Sequence, residues 1–154
     1  MKHSTAGSLK RLFVDTWGWL ALEDSADPAH AAVLNQRRGD VAAGVLWITT
    51  EYVLDETITL LFRRLPFREA ERFCAGVFRT RDAGLLDIQA VTPERFAAAW
   101  RLRLLYRDKP SISFTDLTSF VVMKELGTTR VLTADAHFHQ VQRGFELVPG
   151  NVAG

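Results

Sequence analysis

The amino-acid sequence predicts a three-layer α/β/α sandwich around a mostly parallel sheet of about five strands, and three observations carry that prediction. Five short apolar runs of strand length punctuate the chain, helical patterns fill the intervals between them, and turn or cap residues separate the two kinds of segment. With 154 residues, 47% of them hydrophobic and 24% charged, the chain is long enough to bury one sizeable core.

The first run is Leu12-Phe13-Val14, closed by Asp15. Residues 16–22 follow, with Trp17 and Trp19 expected to flank a tight turn, and 28–38 reads as a helix. The second strand is 45–49, rich in β-branched and aromatic residues; helical patterns then occupy 50–64 and 67–81. Residues 85–91 form a third strand. Thr92 and Pro93 are an N-cap and first helical residue opening a helix to 107, and Pro110, Ser111 and Ser113 mark a loop. A helix over 115–126 closes at Gly127. The fourth strand is 130–133, and the fifth is 144–148, stopped by Pro149-Gly150. Trp47 and Trp100 are expected in the core. No repeat, low-complexity tract or linker interrupts the pattern, so 1–154 is expected to be a single domain with 1–10 and 150–154 as loose tails.

Composition excludes several classes. The lone Cys74 rules out an internal disulfide framework and a cysteine-based zinc site, and fits a cytoplasmic location. The first ten residues have no apolar h-region, and the longest uncharged apolar stretch, 42–50, is too short to cross a bilayer; neither export nor a membrane is expected. The net charge of +1 hides a gradient. Residues 57–110 hold eleven Lys/Arg against six Asp/Glu, and ten of those cations are arginines. That surplus is either a set of solvated helix faces or a nucleic-acid footprint, and composition does not decide between them.

Sheets of this type bind ligands at the carboxyl ends of their strands. Asp15 follows the run LFV and Asp135 follows VLTA, so both belong to the same rim. Glu56 shares a helical row with Tyr52 and Leu60, and Asp116 one with Phe120 and Met123, rows that otherwise read as buried. Each acid has a plain structural alternative. Asp15 can cap residues 16–22, Asp135 can cap a helix running to Val141, and Asp116 can pair with Lys124 or an N-terminal amide. Four acids on one edge, however, repel and raise one another's pKa unless a cation neutralises them. Oxygen donors without cysteine favour Mg²⁺ or Mn²⁺ over zinc, and phosphoryl chemistry is the usual use of such a site.

The texts around these acids are LFVDTWGWLAL, TTEYVLDETITLLF, SISFTDLTSFVVMKELG and RVLTADAHFHQVQRGF. In this order and spacing they resemble the PIN-domain ribonucleases, and within them the toxins of VapBC-type toxin–antitoxin pairs. The resemblance spans nearly the whole chain. It implies a PIN-type sandwich and metal-dependent endoribonucleolytic cleavage of RNA by an activated water. It assigns Asp15, Glu56, Asp116 and Asp135 to an acidic pocket that holds Mg²⁺ or Mn²⁺ and performs the catalysis. Thr115 and Thr133 occupy hydroxyl positions that support an acid or a phosphate oxygen. Asp108 is a candidate outer acid, but a surface salt bridge with Lys109 or Arg107 is the favoured reading of it. Glu51 and Asp55 compete with Glu56, but the helical placement favours Glu56. Two residues beyond Asp135, where many relatives carry a further acid, this chain has His137, a candidate for contact with phosphate or water. Trp17 is a candidate for stacking on a base, although a place in the core or in a dimer or antitoxin contact is the favoured reading. A cognate antitoxin is expected as partner, and so is a homodimer through helices 50–64 and 67–81, whose Leu60, Leu61, Phe62, Phe67, Phe73 and Phe78 exceed what a small core absorbs.

Two other classes compete. A catalytically silent domain of the same fold would use the pocket only to bind RNA or protein. A phosphoryl-receiving domain expects a second acid beside the first and a late lysine near the site, whereas Asp15 is followed by Thr16-Trp17. No G-x-G-x-x-G or G-x-x-x-x-G-K-[ST] supports a nucleotide-binding module.

Overall fold

The computed structural model describes residues 10–141 and 143–150. The rest of the expected tails, 1–9 and 151–154, lie outside the described residues. In chain order the elements are β1 (Arg11–Val14), α1 (Thr16–Glu23), α2 (His30–Ala43), β2 (Leu46–Thr50), α3 (Glu51–Arg64), α4 (Phe67–Asp82) and β3 (Leu86–Gln89). Then come α5 (Pro93–Leu105), α6 (Phe114–Leu126), β4 (Arg130–Leu132), α7 (His137–Gln140) and β5 (Glu146–Val148). The strands form one parallel sheet of order β3-β2-β1-β4-β5, with Phe13 opposite Ile48 on one side and Val131 on the other. Crossovers from β1 to β2 to β3 run one way across the sheet and the crossover from β3 to β4 runs back. Right-handed connections therefore set α1–α4 on one face and α5–α6 on the other. All five expected strands and the α/β/α architecture are present.

The central strands are buried on both faces, which is why β1 and β2 read as continuous apolar runs rather than alternating ones. Helix ends follow their caps. Thr50, Thr92 and Ser113 each accept an amide bond at an N-cap, and Gly44 and Gly127 close α2 and α6 at φ of 71° and 65°, where a side chain would be strained.

Three expectations are corrected. The segment after Asp15 is no tight turn: Trp17-Gly18-Trp19 lies inside α1. Gly18 allows this, because a Cβ there would sit 2.8 Å from the Leu132 carbonyl oxygen, so the helix lies directly on the end of β4. Trp19 is buried and donates its Nε1 to Thr49 Oγ1, which in turn donates to the Val14 carbonyl, tying α1 to β1 and β2. Helix α2 continues past Arg38 through Gly39 because Asp40 is anchored: its buried carboxylate accepts from Trp47 Nε1 at 2.8 Å and Gln36 Nε2 at 2.9 Å. Trp47 is core as expected, but Trp100 is 54% exposed. Only Ala99 of α5 is buried, and Trp100 lies about 100° around the helix from it. Of the apolar residues on α3 and α4, Leu61 and Phe73 are core, whereas Phe62, Phe67 and Phe78 stay exposed.

The arginine-rich third is partly structural. Arg103 donates to the carbonyls of Tyr106, Lys109 and Ile112 at 2.6–2.7 Å, holding the loop that leads into α6, and Arg95 makes a two-pronged pair with Glu125. A triad of rings, Phe120, Phe138 and Phe145, packs α6, α7 and the approach to β5 together at centroid distances of 5.0–5.5 Å.

Candidate active site

The carboxyl ends of β1 and β4, the wall of α3 and the first turn of α6 surround one cleft of about 450 Å³, and Asp15, Glu56, Asp116 and Asp135 all line it. Asp15 is the first residue past β1. Its amide donates to the Leu132 carbonyl and its side chain is nearly sealed from solvent, with the residue 3% exposed. Thr133, the first residue past β4, donates its hydroxyl to Asp15 Oδ2 at 3.0 Å and accepts the Asp135 amide at 3.0 Å. One hydroxyl thus fixes two acids.

Asp15 holds the N-cap position of α1 but makes no capping bond with its side chain. Asp135 lies one residue before the N-cap of α7, Ala136, and its Oδ1 accepts the His137 amide at 2.9 Å in a turn that leads into the helix. Asp116 is held by Ser113, whose Oγ accepts the Asp116 amide at 3.0 Å at the start of α6. Its carboxylate meets neither Lys124 nor a free amide but His137, whose Nδ1 is 3.0 Å from Asp116 Oδ2 and 3.2 Å from Asp135 Oδ1. Glu56 is exposed at the cleft wall rather than on a buried stripe, and Leu60 and Arg64 continue its row outward.

The acids are coupled by charge. Burial, and then the Asp116 carboxylate, push Asp15 up to about 7. Asp116 is raised by burial and by Asp135, and Glu56 by burial, Asp116 and Asp135. Ionisation of Asp15, Glu56 and Asp116 is therefore opposed both by burial and by neighbouring negative charge, which a cation in the cleft would offset. A second feature points the same way: the Thr16 hydroxyl, buried at the same cleft, makes no close hydrogen bond and has the Glu56 carboxylate as its neighbour. Asp116, Asp135 and His137 each offer one donor atom within 4.8 Å of the others. This donor set fits a divalent ion.

Two expected site residues stand apart. Asp108 is exposed and paired with Lys109 at 2.9 Å, outside the cleft, because the Arg103-anchored loop turns it outward. Thr115 does not line the cleft either. Its carbonyl accepts the hydroxyls of Thr118 and Ser119, and the hydroxyl that serves Asp116 belongs to Ser113, two residues earlier. Among the competitors of Glu56, Glu51 accepts the Val91 amide and Asp55 lies off the cleft. Sequence reasoning missed Ser113, Thr16 and Arg64. The S-x-x-D spacing of Ser113 and Asp116 is a capping signal, and Arg64 lies eight residues from Glu56 on one helical row. The buried hydroxyl of Thr16 left no mark in the sequence.

The PIN domain family model matches residues 12–144. Among characterised proteins, the 23S rRNA-specific endonuclease VapC20 of Mycobacterium tuberculosis is 32% identical over 127 residues, which is 82% of this chain and 91% of that protein. The crystal structure of M. tuberculosis VapC20, described as a sarcin-ricin loop cleaving toxin, superposes with a TM-score of 0.71 at 31% identity, covering 88% of this chain and 96% of that one. VapBC2 from Rickettsia felis, bound to a DNA fragment from its promoter, superposes with a TM-score of 0.66, covering 89% and 96%. At 12% identity that likeness is one of fold.

Proposed function

Because the chain belongs to the PIN-domain family, we propose that it is a metal-dependent endoribonuclease, the toxin of a toxin–antitoxin pair, acting on ribosomal RNA. The observation that carries this reading is the convergence of four charge-coupled carboxylates from four separate elements in one cleft. Asp15, Glu56, Asp116 and Asp135 hold Mg²⁺ or Mn²⁺. When bound, an ion of this class polarises a phosphodiester and lowers the pKa of an attacking water.

The chain's own residues do the rest. Thr133 keeps Asp15 and Asp135 in fixed relation, and Ser113 holds Asp116 at the mouth of α6. Arg64, on the outer wall, meets a backbone phosphate of the RNA. Trp17, part-buried at the rim, offers a face on which a base stacks. No covalent protein nucleophile is required. The relative named for 23S rRNA cleavage and sarcin-ricin loop cutting makes ribosomal RNA the first substrate to try.

A nuclease of this kind harms its host unless restrained, so a cognate antitoxin covers the cleft of this single-domain, cytoplasmic protein. A homodimer forms through α3 and α4, where exposed Phe62 and Phe67 meet edge to face at 5.1 Å and Phe78 adds to the apolar patch. Sedimentation at micromolar concentration as a lone 17.3 kDa species would overturn the dimer. The function itself is tested by incubating total bacterial RNA with the purified chain in Mn²⁺ or Mg²⁺ and sequencing the 5′-phosphate ends. Discrete ends, lost in EDTA and in Asp116→Asn, are expected. Their absence under either metal, with folding verified, would leave a silent binding module in place of an enzyme.

A further inference from the structure

Among the described residues, Asp116, Asp135 and His137 bring three donor atoms within 4.8 Å of one another in the cleft, and one of the three is a nitrogen. The imidazole is no loose surface ring. It rides on α7, whose next residue, Phe138, is 1% exposed and packs edge-on against Phe120 of α6 at 5.0 Å. Its own backbone amide is fixed to Asp135. Nδ1 is thereby held 3.0 Å from an oxygen of Asp116 and 3.2 Å from an oxygen of Asp135.

Those separations are also the ones a coordination sphere requires. With metal–ligand bonds of about 2.1 Å, adjacent ligands of an octahedral ion stand about 3.0 Å apart. An independent feature of the cleft points to a ligand: the buried Thr16 hydroxyl at the same site makes no close hydrogen bond and has only the Glu56 carboxylate near it. On the reading that the cleft holds a divalent ion, we infer that His137 is a direct nitrogen ligand to it, so that this site takes Mn²⁺ in preference to Mg²⁺. Mg²⁺ is a hard ion that keeps oxygen ligands and its own waters, whereas the first-row transition ions accept imidazole readily. A nitrogen among the ligands therefore separates two ions that an all-oxygen cleft distinguishes poorly.

The test is Mn²⁺ binding to the full chain by electron paramagnetic resonance, with Mg²⁺ as competitor, in the wild type, His137→Asp and His137→Gln. The wild type is expected to prefer Mn²⁺ by at least about a hundredfold, and His137→Asp to reduce that preference about tenfold. Pulsed measurements on the Mn²⁺-loaded wild type should show coupling to a ¹⁴N nucleus. That readout does not depend on any variant folding. His139 is exposed and outside the cleft, so His139→Gln should keep the coupling, while His137→Gln should lose it. Bound Mn²⁺ with no nitrogen coupling and an unchanged Mn²⁺/Mg²⁺ ratio in His137→Asp would overturn the inference while leaving a metal nuclease intact, provided RNA is still cut. No bound Mn²⁺ in the wild type at millimolar ion would overturn both.

Discussion

Thr133 donates its hydroxyl to Asp15 Oδ2 at 3.0 Å across 118 residues of sequence, and Thr133 Oγ1 itself accepts the amide of Asp135. Replacing Thr133 by Val keeps the shape and removes both bonds, leaving a buried carboxylate and a backbone amide short of a partner. The expected loss of stability is about 1–3 kcal/mol, read from urea unfolding. RNA cleavage should fall with it, and Thr133→Ser should recover most of both.

Asp15 gives the metal-free protein a pH dependence of definite sign. Its pKa is about 7 in the folded chain against 3.8 for an ordinary aspartate, so the folded state holds the proton more tightly than the unfolded one. The stability from that proton is complete below about pH 4 and is lost as pH rises through 7. In EDTA, Asp15→Asn should therefore gain on the wild type with rising pH, the gap widening by on the order of 2 kcal/mol between pH 5 and pH 8. Parallel melting curves at the two pH values, with no widening, would contradict this.

At Gly18 two effects oppose. Alanine is favoured over glycine within a helix by about 1 kcal/mol, but its Cβ would press on the Leu132 backbone, which cannot swing aside. The clash should win, so Gly18→Ala is expected to destabilise by about 1–3 kcal/mol. A denaturation midpoint equal to or above that of the wild type would show that α1 can lift from β4.

Arg64 is exposed at the outer wall of the cleft and has no role in the core. Arg64→Ala should leave the stability within about 0.5 kcal/mol of wild type. If the guanidinium meets phosphate, KM for RNA should rise about tenfold and the salt dependence of binding should become shallower. Arg64→Lys should fall between the two.

The strands were legible because the sheet is parallel and buried, which leaves short apolar runs bounded by turn residues. Asp15 and Asp135 could be assigned to one rim for the same reason, each standing one to three residues past its strand. What failed was local geometry. Trp100 carries the side chain of a core residue, yet only the Ala99 row of α5 is covered. Thr115 stands beside Asp116 in sequence, but in the first turn of a helix the residue three positions back, Ser113, is the spatial neighbour. Asp108, by contrast, makes the favoured surface pair with Lys109, on a loop that three carbonyl bonds from Arg103 shape. His137 is the reverse case. Its sequence neighbours say little, and only the packing of Phe138 on Phe120 brings its ring between two carboxylates.

The strand order has a consequence for the timing of the chain's synthesis. β1 lies at the centre of the sheet with β2 and β3 on one side and β4 and β5 on the other, so Asp15 and Glu56 come from the part made first, and Asp116 and Asp135 from the part made last. A nascent chain that ends before β4 has a first acid with neither Thr133 to hold it nor Asp135 beside it. The cleft cannot close until the chain has emerged past Asp135, so no nascent fragment shorter than that carries the complete set of four acids.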